Sequence, residues 1–315
     1  MTEADSVAIV NPASAGGQTA IAWERVQNSL GTIRVLKTAA RGDATELTSA
    51  ALRNGARTII AVGGDGTINE VVNGFFLDGQ LINADAALGI VPAGTSSDLR
   101  RSLDLPVDQK DAIFIIKNGA PRPIDLMRVR YTDPSGAPAT RYAINVTSFG
   151  MGALVAARAP RSAKGLGAKL AYLSTAARTA LRYTGRRVIV TLDRTNRIEE
   201  RITNVAVGNG RYHGAGMQVC PNADLTDGLL DVTVIGYVGL VELLASARML
   251  YNGRILDHPK VQSFRARHVQ AESTEPTFIE IDGEPLGRLP VEIELLPKAL
   301  QVLRLRHANP KHEVK

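Results

Sequence analysis

The sequence predicts an α/β protein: an N-terminal open, mostly parallel sheet with helices on both faces, then a β-rich, sandwich-like C-terminal part. Two observations carry this. Short β-branched runs at Val7–Val10, Thr58–Val62 and Ala86–Val91 alternate with helical spacings. After Ile124-Asp125-Leu126, strand-like runs separated by glycine and proline take over.

In chain order, a helix is expected over Gln18–Leu30, a strand over Thr32–Lys37, and a helix over Asp43–Asn54 that starts from an Asp cap. Further strands are expected at Ile124–Tyr131, Arg141–Ser148, Arg187–Leu192, Arg197–Val207, Leu230–Val234, Gln262–Val269, Thr277–Ile281 and Val291–Leu295. Helical spacing survives at Lys169–Leu181 and Leu240–Tyr251. The second of these reads as plain core or as the lining of an apolar pocket. The proline-rich stretch at 118–123 marks a boundary, so residues 1–123 and 124–298 read as two domains. Residues 299–315 read as a tail that packs back on the first.

The central stretch is Thr58–Phe75, TIIAVGGDGTINEVVNGF. A buried strand, a glycine turn and a helix place backbone N–H groups and a helix N-terminus toward a phosphate. Gly63, Gly64 and Gly66 let the backbone approach a ligand closely, with Asp65 and Thr67 inside the turn. The spacing is neither GxGxxG nor that of a P-loop. Two more loops follow predicted strands: Asn11–Gly17, which reads equally as an ordinary β–α connection, and Pro92–Asp98. In open parallel sheets ligands bind beyond the carboxyl ends of the strands, and all three loops belong there.

With 315 residues, 44% hydrophobic and 22% charged, the chain is long enough for two well-buried cores. A net charge of +6 suits an anionic partner, while 4% aromatics argue against base-stacking nucleic-acid modules. The single Cys220 excludes an internal disulfide and reads as a small buried thiol. The first ten residues are acidic and no stretch reads as a membrane span, which predicts a cytoplasmic protein that meets any lipid at the membrane surface.

Two acidic clusters lie in the second half. Asp224 and Asp227, three apart in a glycine-sharpened loop, read as an ordinary turn or, with the carbonyl of Leu229, as hard oxygen ligands for Mg²⁺. Asp282-Gly283-Glu284 reads as a solvated hairpin tip or as a turn that presents a general base. His213 reads as a loop histidine in water.

Taken together, GGDGTINEVVNG at Gly63–Gly74, PAGTSSDLRRSL at Pro92–Leu103, the Asp224/Asp227/Gly228 loop and Asp282-Gly283-Glu284 resemble the diacylglycerol kinase catalytic family. More narrowly, the chain looks like its bacterial soluble lipid kinase branch, related to sphingosine kinases and more distantly to NAD kinases. The resemblance runs in order from Asn11-Pro12 to the Asp-Gly-Glu turn. It implies an ATP site in the cleft between the α/β domain and a β-rich lipid-substrate domain.

By that resemblance Asn11, Thr38, Gly63–Thr67, Gly94 and Thr95 would contact nucleotide. Asp65, Asp98, Arg101, Asp125 and Lys169 would form a charged network around the phosphates. Asp224, Asp227 and the Leu229 carbonyl would hold Mg²⁺. Glu284 would act as base with Asp282 beside it, and Asp65 would help bind catalytic Mg²⁺. The implied reaction is ATP- and Mg²⁺-dependent phosphorylation of a diacylglycerol-like or other long-chain alcohol by a protein that is often a dimer. The chain departs from the family in Ser97, where Asn is usual, and in Ala15, where glycine is usual. A kinase of a soluble alcohol and a nucleotide or lipid binder without turnover are the other readings.

Overall fold

The computed structural model describes residues 5–92, 98–158, 174–176 and 178–305. They gather into two compact units, one from residues within 5–92, 105–124 and 299–305, the other from residues within 98–104 and 125–298.

In the first unit β1 (Ser6–Val10), β2 (Arg34–Lys37), β3 (Thr58–Gly63) and the strand Ala87–Pro92 are parallel. The order is Ala87–Pro92, β3, β1, β2, and Gln301–Val302 adds a parallel strand beside Ala87–Leu88. β1, β3 and Ala87–Pro92 are buried on both faces, which is why they read as unbroken apolar runs, whereas the edge strand β2 is not. One set of alternate residues (Ala8, Val10, Ile60, Val62, Val91) packs with Trp23 of α1 (Gln18–Val26) and Ile113 and Ile116 of the helix Gln109–Asn118. The other set, including Ile9 and Ile59, is equally buried, and α2 (Asp43–Arg53) and α3 (Asp65–Asn73) pack against each other and against these strands. Each such side chain contributes roughly 1.5–3 kcal/mol by leaving water.

The second unit is built on antiparallel pairs. Asn196–Gly208 is its spine: its first half pairs with Arg186–Leu192, and its second half lies between Val146–Gly150 and Leu230–Gly236. Val146–Gly150 pairs in turn with Phe278–Ile281, which forms a hairpin with the start of Glu284–Arg304. Their inward residues, among them Phe149, Val205, Val232, Ile279 and Ile293, form one core.

Two strands expected to be continuous are broken. Arg141–Ser148 divides into Pro138–Ala143 and Val146–Gly150, because the amides of Ile144 and Asn145 turn to Asp282. Gln262–Val269 divides into Val261–Ala266 and His268–Glu272, where the amides of Arg267 and His268 donate to Asp193. In each case a carboxylate satisfies the amides that leave the ladder. The helix Leu240–Tyr251 forms but buries none of its residues, so it is not core. Of the helix expected at Lys169–Leu181, residues 174–176 and 178–181 are helical, and the rest lies outside the described residues. Cys220 is buried, and burial pushes its thiol up to about 12.

Candidate active site

At the carboxyl edge of the first unit's sheet, Val10 lies opposite Lys37 and Val62, so Asn11, Thr38 and Gly64 emerge side by side. Side chains lace these loops together. Asn11 Nδ2 donates to Thr67 Oγ1 at 3.0 Å, its Oδ1 accepts from Ala13 N at 3.1 Å, and Ser14 Oγ accepts from Gly64 N at 3.1 Å. Thr38 is buried and its amide donates to Val10 O at 3.0 Å. Asp43 fixes the same loop by accepting from the amides of Ala39 and Ala40, which hold its carboxyl below the usual range. A Cβ at Gly63 would stand 2.6 Å from the Thr67 side chain, so only glycine lets Thr67 fold back over the turn. Asp65 and Gly66 open α3, with Gly64 as its extended cap. Partly exposed backbone donors at a helix start are an arrangement that suits an anion.

In the second unit, Ile281 and Glu284 face each other across a two-residue turn in which Asp282 (φ 47°) and Gly283 (φ 85°) are both left-handed. Asp-Gly suits this twist because Asp tolerates, and Gly freely adopts, positive φ. Asp282 is not the exposed carboxylate the sequence suggested. It is 7% exposed and accepts three amides, from Ile144 at 2.8 Å, Asn145 at 2.9 Å and Val146 at 3.0 Å. The turn is thereby anchored, and Glu284 follows at its end, half-buried.

Four segments close a ring around this anchor. Asp98 pairs with Arg101 at 2.8 Å and accepts the Ala215 amide at 2.8 Å. Ser102 Oγ donates to Asn145 Oδ1 at 2.8 Å, and Asn145 Nδ2 donates to Tyr212 O at 2.7 Å. His213, expected in water, is instead largely covered, its side chain 13% exposed, and ion-paired with Glu280, a carboxylate 2% exposed on the strand that leads to Asp282. Burial lowers its pKa, but the charge and hydrogen bond of Glu280, with Asp98 and Asp282, outweigh that and raise it to about 9. The helix Asp98–Ser102, in sequence just after the second glycine loop, is thus tied to the Asp-Gly-Glu turn 180 residues on.

Residues 5–129 match the diacylglycerol kinase catalytic domain, and residues 145–304 match the YegS C-terminal NAD kinase β-sandwich-like domain. A protein named diacylglycerol kinase from Mycobacterium tuberculosis is 34% identical over 267 residues, which cover 84% of this chain and 82% of that one. The chain belongs to the diacylglycerol kinase catalytic family. A protein of Xanthomonas oryzae pv. oryzae named "Probable lipid kinase YegS-like" is 30% identical over 83% of each chain. Among solved structures, a Bacillus anthracis diacylglycerol kinase is 21% identical with a TM-score of 0.69, covering 97% of this chain and 99% of that one. Yeast NADH kinase, at 11% identity and a TM-score of 0.56, shares the fold, covering 98% and 85%.

Measured against the sites this kinase family implies, the described residues divide by role. Asp125 is fully buried: its Oδ1 accepts from Lys298 N at 2.7 Å and its Oδ2 from Gly228 N at 2.8 Å. That makes it a tether for the acidic loop. In the loop, Asp224 Oδ1 accepts from Thr226 N at 2.9 Å, and Asp227 Oδ1 accepts from Leu229 N at 3.0 Å. Asp227 also pairs with Arg265, which stands 3.6 Å from Asp231. Burial, and after it the charges of Asp227 and Asp224, raise the Asp231 pKa against the pull of Arg265. Oxygen-only donors and concentrated negative charge fit a hard cation such as Mg²⁺. Among the described residues no three His, Cys, Asp or Glu side chains converge, so a main-chain carbonyl would have to complete such a site.

Gly94, Thr95 and Lys169 lie outside the described residues. Sequence reading singled out neither Ser14 nor Ser102, although both lie inside loops it quoted, and it missed Asn145, which carries no motif. Glu280 carried one signal, a lone charge in an apolar strand, Phe278–Ile281.

Proposed function

We propose that the chain transfers the γ-phosphate of ATP to the hydroxyl of a diacylglycerol-like or other long-chain lipid alcohol. The observation that carries this reading is Glu284, half-buried at the end of a turn that three amides hold through Asp282. A general base must be fixed where an alcohol can approach it. Asn11, Thr38, the Gly63–Thr67 turn and Asp65 would bind the nucleotide phosphates, with Asp65 also toward the nucleotide's Mg²⁺. Asp224, Asp227 and the Leu229 carbonyl would hold a second, structural Mg²⁺. Bound to ATP, Mg²⁺ neutralises phosphate charge and so eases phosphoryl transfer.

The backbone donors of the Gly63–Thr67 turn would orient the phosphate chain, and Glu284 would take the proton from the lipid hydroxyl as the new P–O bond forms. In a loose transition state that transfer comes late, so positioning carries most of the rate. An apolar groove favours a lipid over a soluble acceptor. Ala157, Pro276, Phe278, Pro285 and Gly287 line it, with Thr277 and Arg288 in the same wall, and Pro285 directly follows Glu284 in the chain. It suits an alkyl chain whose hydroxyl end lies toward Glu284. The names of the relatives support the same class.

The test is transfer of labelled phosphate from ATP to diacylglycerol and other lipid alcohols in mixed micelles, with glycerol and NAD as soluble acceptors. Glu284→Gln is expected to cut kcat by ~10²–10⁴-fold, with ATP binding retained. Full activity of that variant removes the base, and label only on a soluble acceptor overturns the lipid.

A further inference from the structure

We propose that the His213–Glu280 pair latches the hairpin 212–218 to the strand Phe278–Ile281, which leads into the turn of Asp282 and Glu284, making His213 a positioning residue for phosphoryl transfer and the group that limits activity at alkaline pH. The inference rests on Glu284 acting as the base.

Three features of the geometry support it. Gly214, Ala215 and Gly216 are all left-handed (φ 61°, 68° and 103°), and Ala215 holds this conformation without a glycine's freedom. Such a turn persists only when its surroundings hold it, and here they do. Asp98 takes the Ala215 amide, Asn145 takes the Tyr212 carbonyl, and Glu280 takes the His213 ring. The last contact is the only one of these three that reaches the strand Phe278–Ile281 itself.

The charges require the same pairing. The groups acting on His213 are Glu280 from that strand, Asp282 from the turn and Asp98 from the helix Asp98–Ser102, all carboxylates. Arg101 pairs with Asp98. Once His213 loses its proton, Glu280 is left as a carboxylate 2% exposed without its cation. The sign follows. Because the folded pKa of about 9 lies above the ordinary 6.5, the latch is at full strength below 6.5 and is lost as pH rises to about 9.

The experiment follows kcat, KM and thermal melting from pH 6 to pH 10 for the full chain, His213→Gln and Glu280→Gln. The wild type is expected to lose kcat with an ionisation near 9. His213→Gln should lack that ionisation and show kcat lower by about tenfold at neutral pH, with KM for ATP within about twofold. Glu280→Gln should move the ionisation to lower pH.

A His213→Gln variant with wild-type kcat and pH profile overturns the proposal. So does a lowered kcat that keeps the alkaline ionisation, since the residue would then be structural only. If the wild type phosphorylates none of the acceptors, the kinase reading fails instead. The melting curves still test the latch: wild-type stability must fall between pH 7 and pH 9 more steeply than that of His213→Gln, and parallel curves overturn it.

Discussion

Asp282 does the work of three residues: one buried carboxylate replaces the strand partners that Ile144, Asn145 and Val146 give up where the chain bends. Removing it leaves amides without an acceptor, at about 1–3 kcal/mol for each that water cannot reach. Asp282→Ala is therefore expected to lower unfolding stability by on the order of 3 kcal/mol in denaturant melts and to lower kcat as well. Asp282→Asn, which keeps one acceptor oxygen, should recover part of both. A variant with unchanged stability would show that the anchor is dispensable. The Asp-Gly pair was legible in the sequence as a turn, since few other pairs tolerate two positive φ angles. The burial of its carboxylate was not, because the amides it accepts lie 136–138 positions away.

At the scale of elements, the acidic loop and the strand Val261–Ala266 belong together, since Arg265 stands opposite Asp231 in the ladder. Arg265 supplies from within the chain part of the positive charge that a cation would bring. Its side chain is 47% exposed, so the pair with Asp227 contributes no more than about 1 kcal/mol. Arg265→Gln should lower the melting temperature in EDTA by a few degrees, and millimolar Mg²⁺ should restore more stability to it than to the wild type. Identical Mg²⁺ responses would count against a cation in this loop. The spacing of Asp224 and Asp227 was readable in the sequence, whereas Arg265 was not, because a cross-strand neighbour carries no local signature.

For the whole molecule, the net charge of +6 and the surface helix Leu240–Tyr251 bear on where it meets its substrate. Val241 and Leu244 on that helix are 82% and 66% exposed, and among the described residues no helix is long and apolar enough to cross a membrane. A kinase acting on a lipid must bring its site to the bilayer surface. Co-sedimentation with vesicles containing anionic lipid is expected, weakening as salt rises because the attraction is screened. Val241→Glu with Leu244→Glu should reduce it several-fold while leaving ATP binding intact, since about 25 cal/mol of binding is lost per Å² of apolar surface withheld. Equal binding by both proteins would place the contact elsewhere.

The sequence by itself determined the class of each half and the glycine turn that follows the central strand. Unbroken β-branched runs must be buried on both faces, and glycine at position 63 marks a backbone that has to stay bare beneath Thr67. It also carried enough ordered motifs, from Asn11 to Glu284, to place the family. Only the tertiary structure decided which polar residues are structural. Asp125 and Asp282 look like surface chemistry in a linear reading, yet both are buried, as is the Glu280 that pairs with His213. The physical reason is that burial of a charge depends on its partner, and all their partners come from segments distant in the chain.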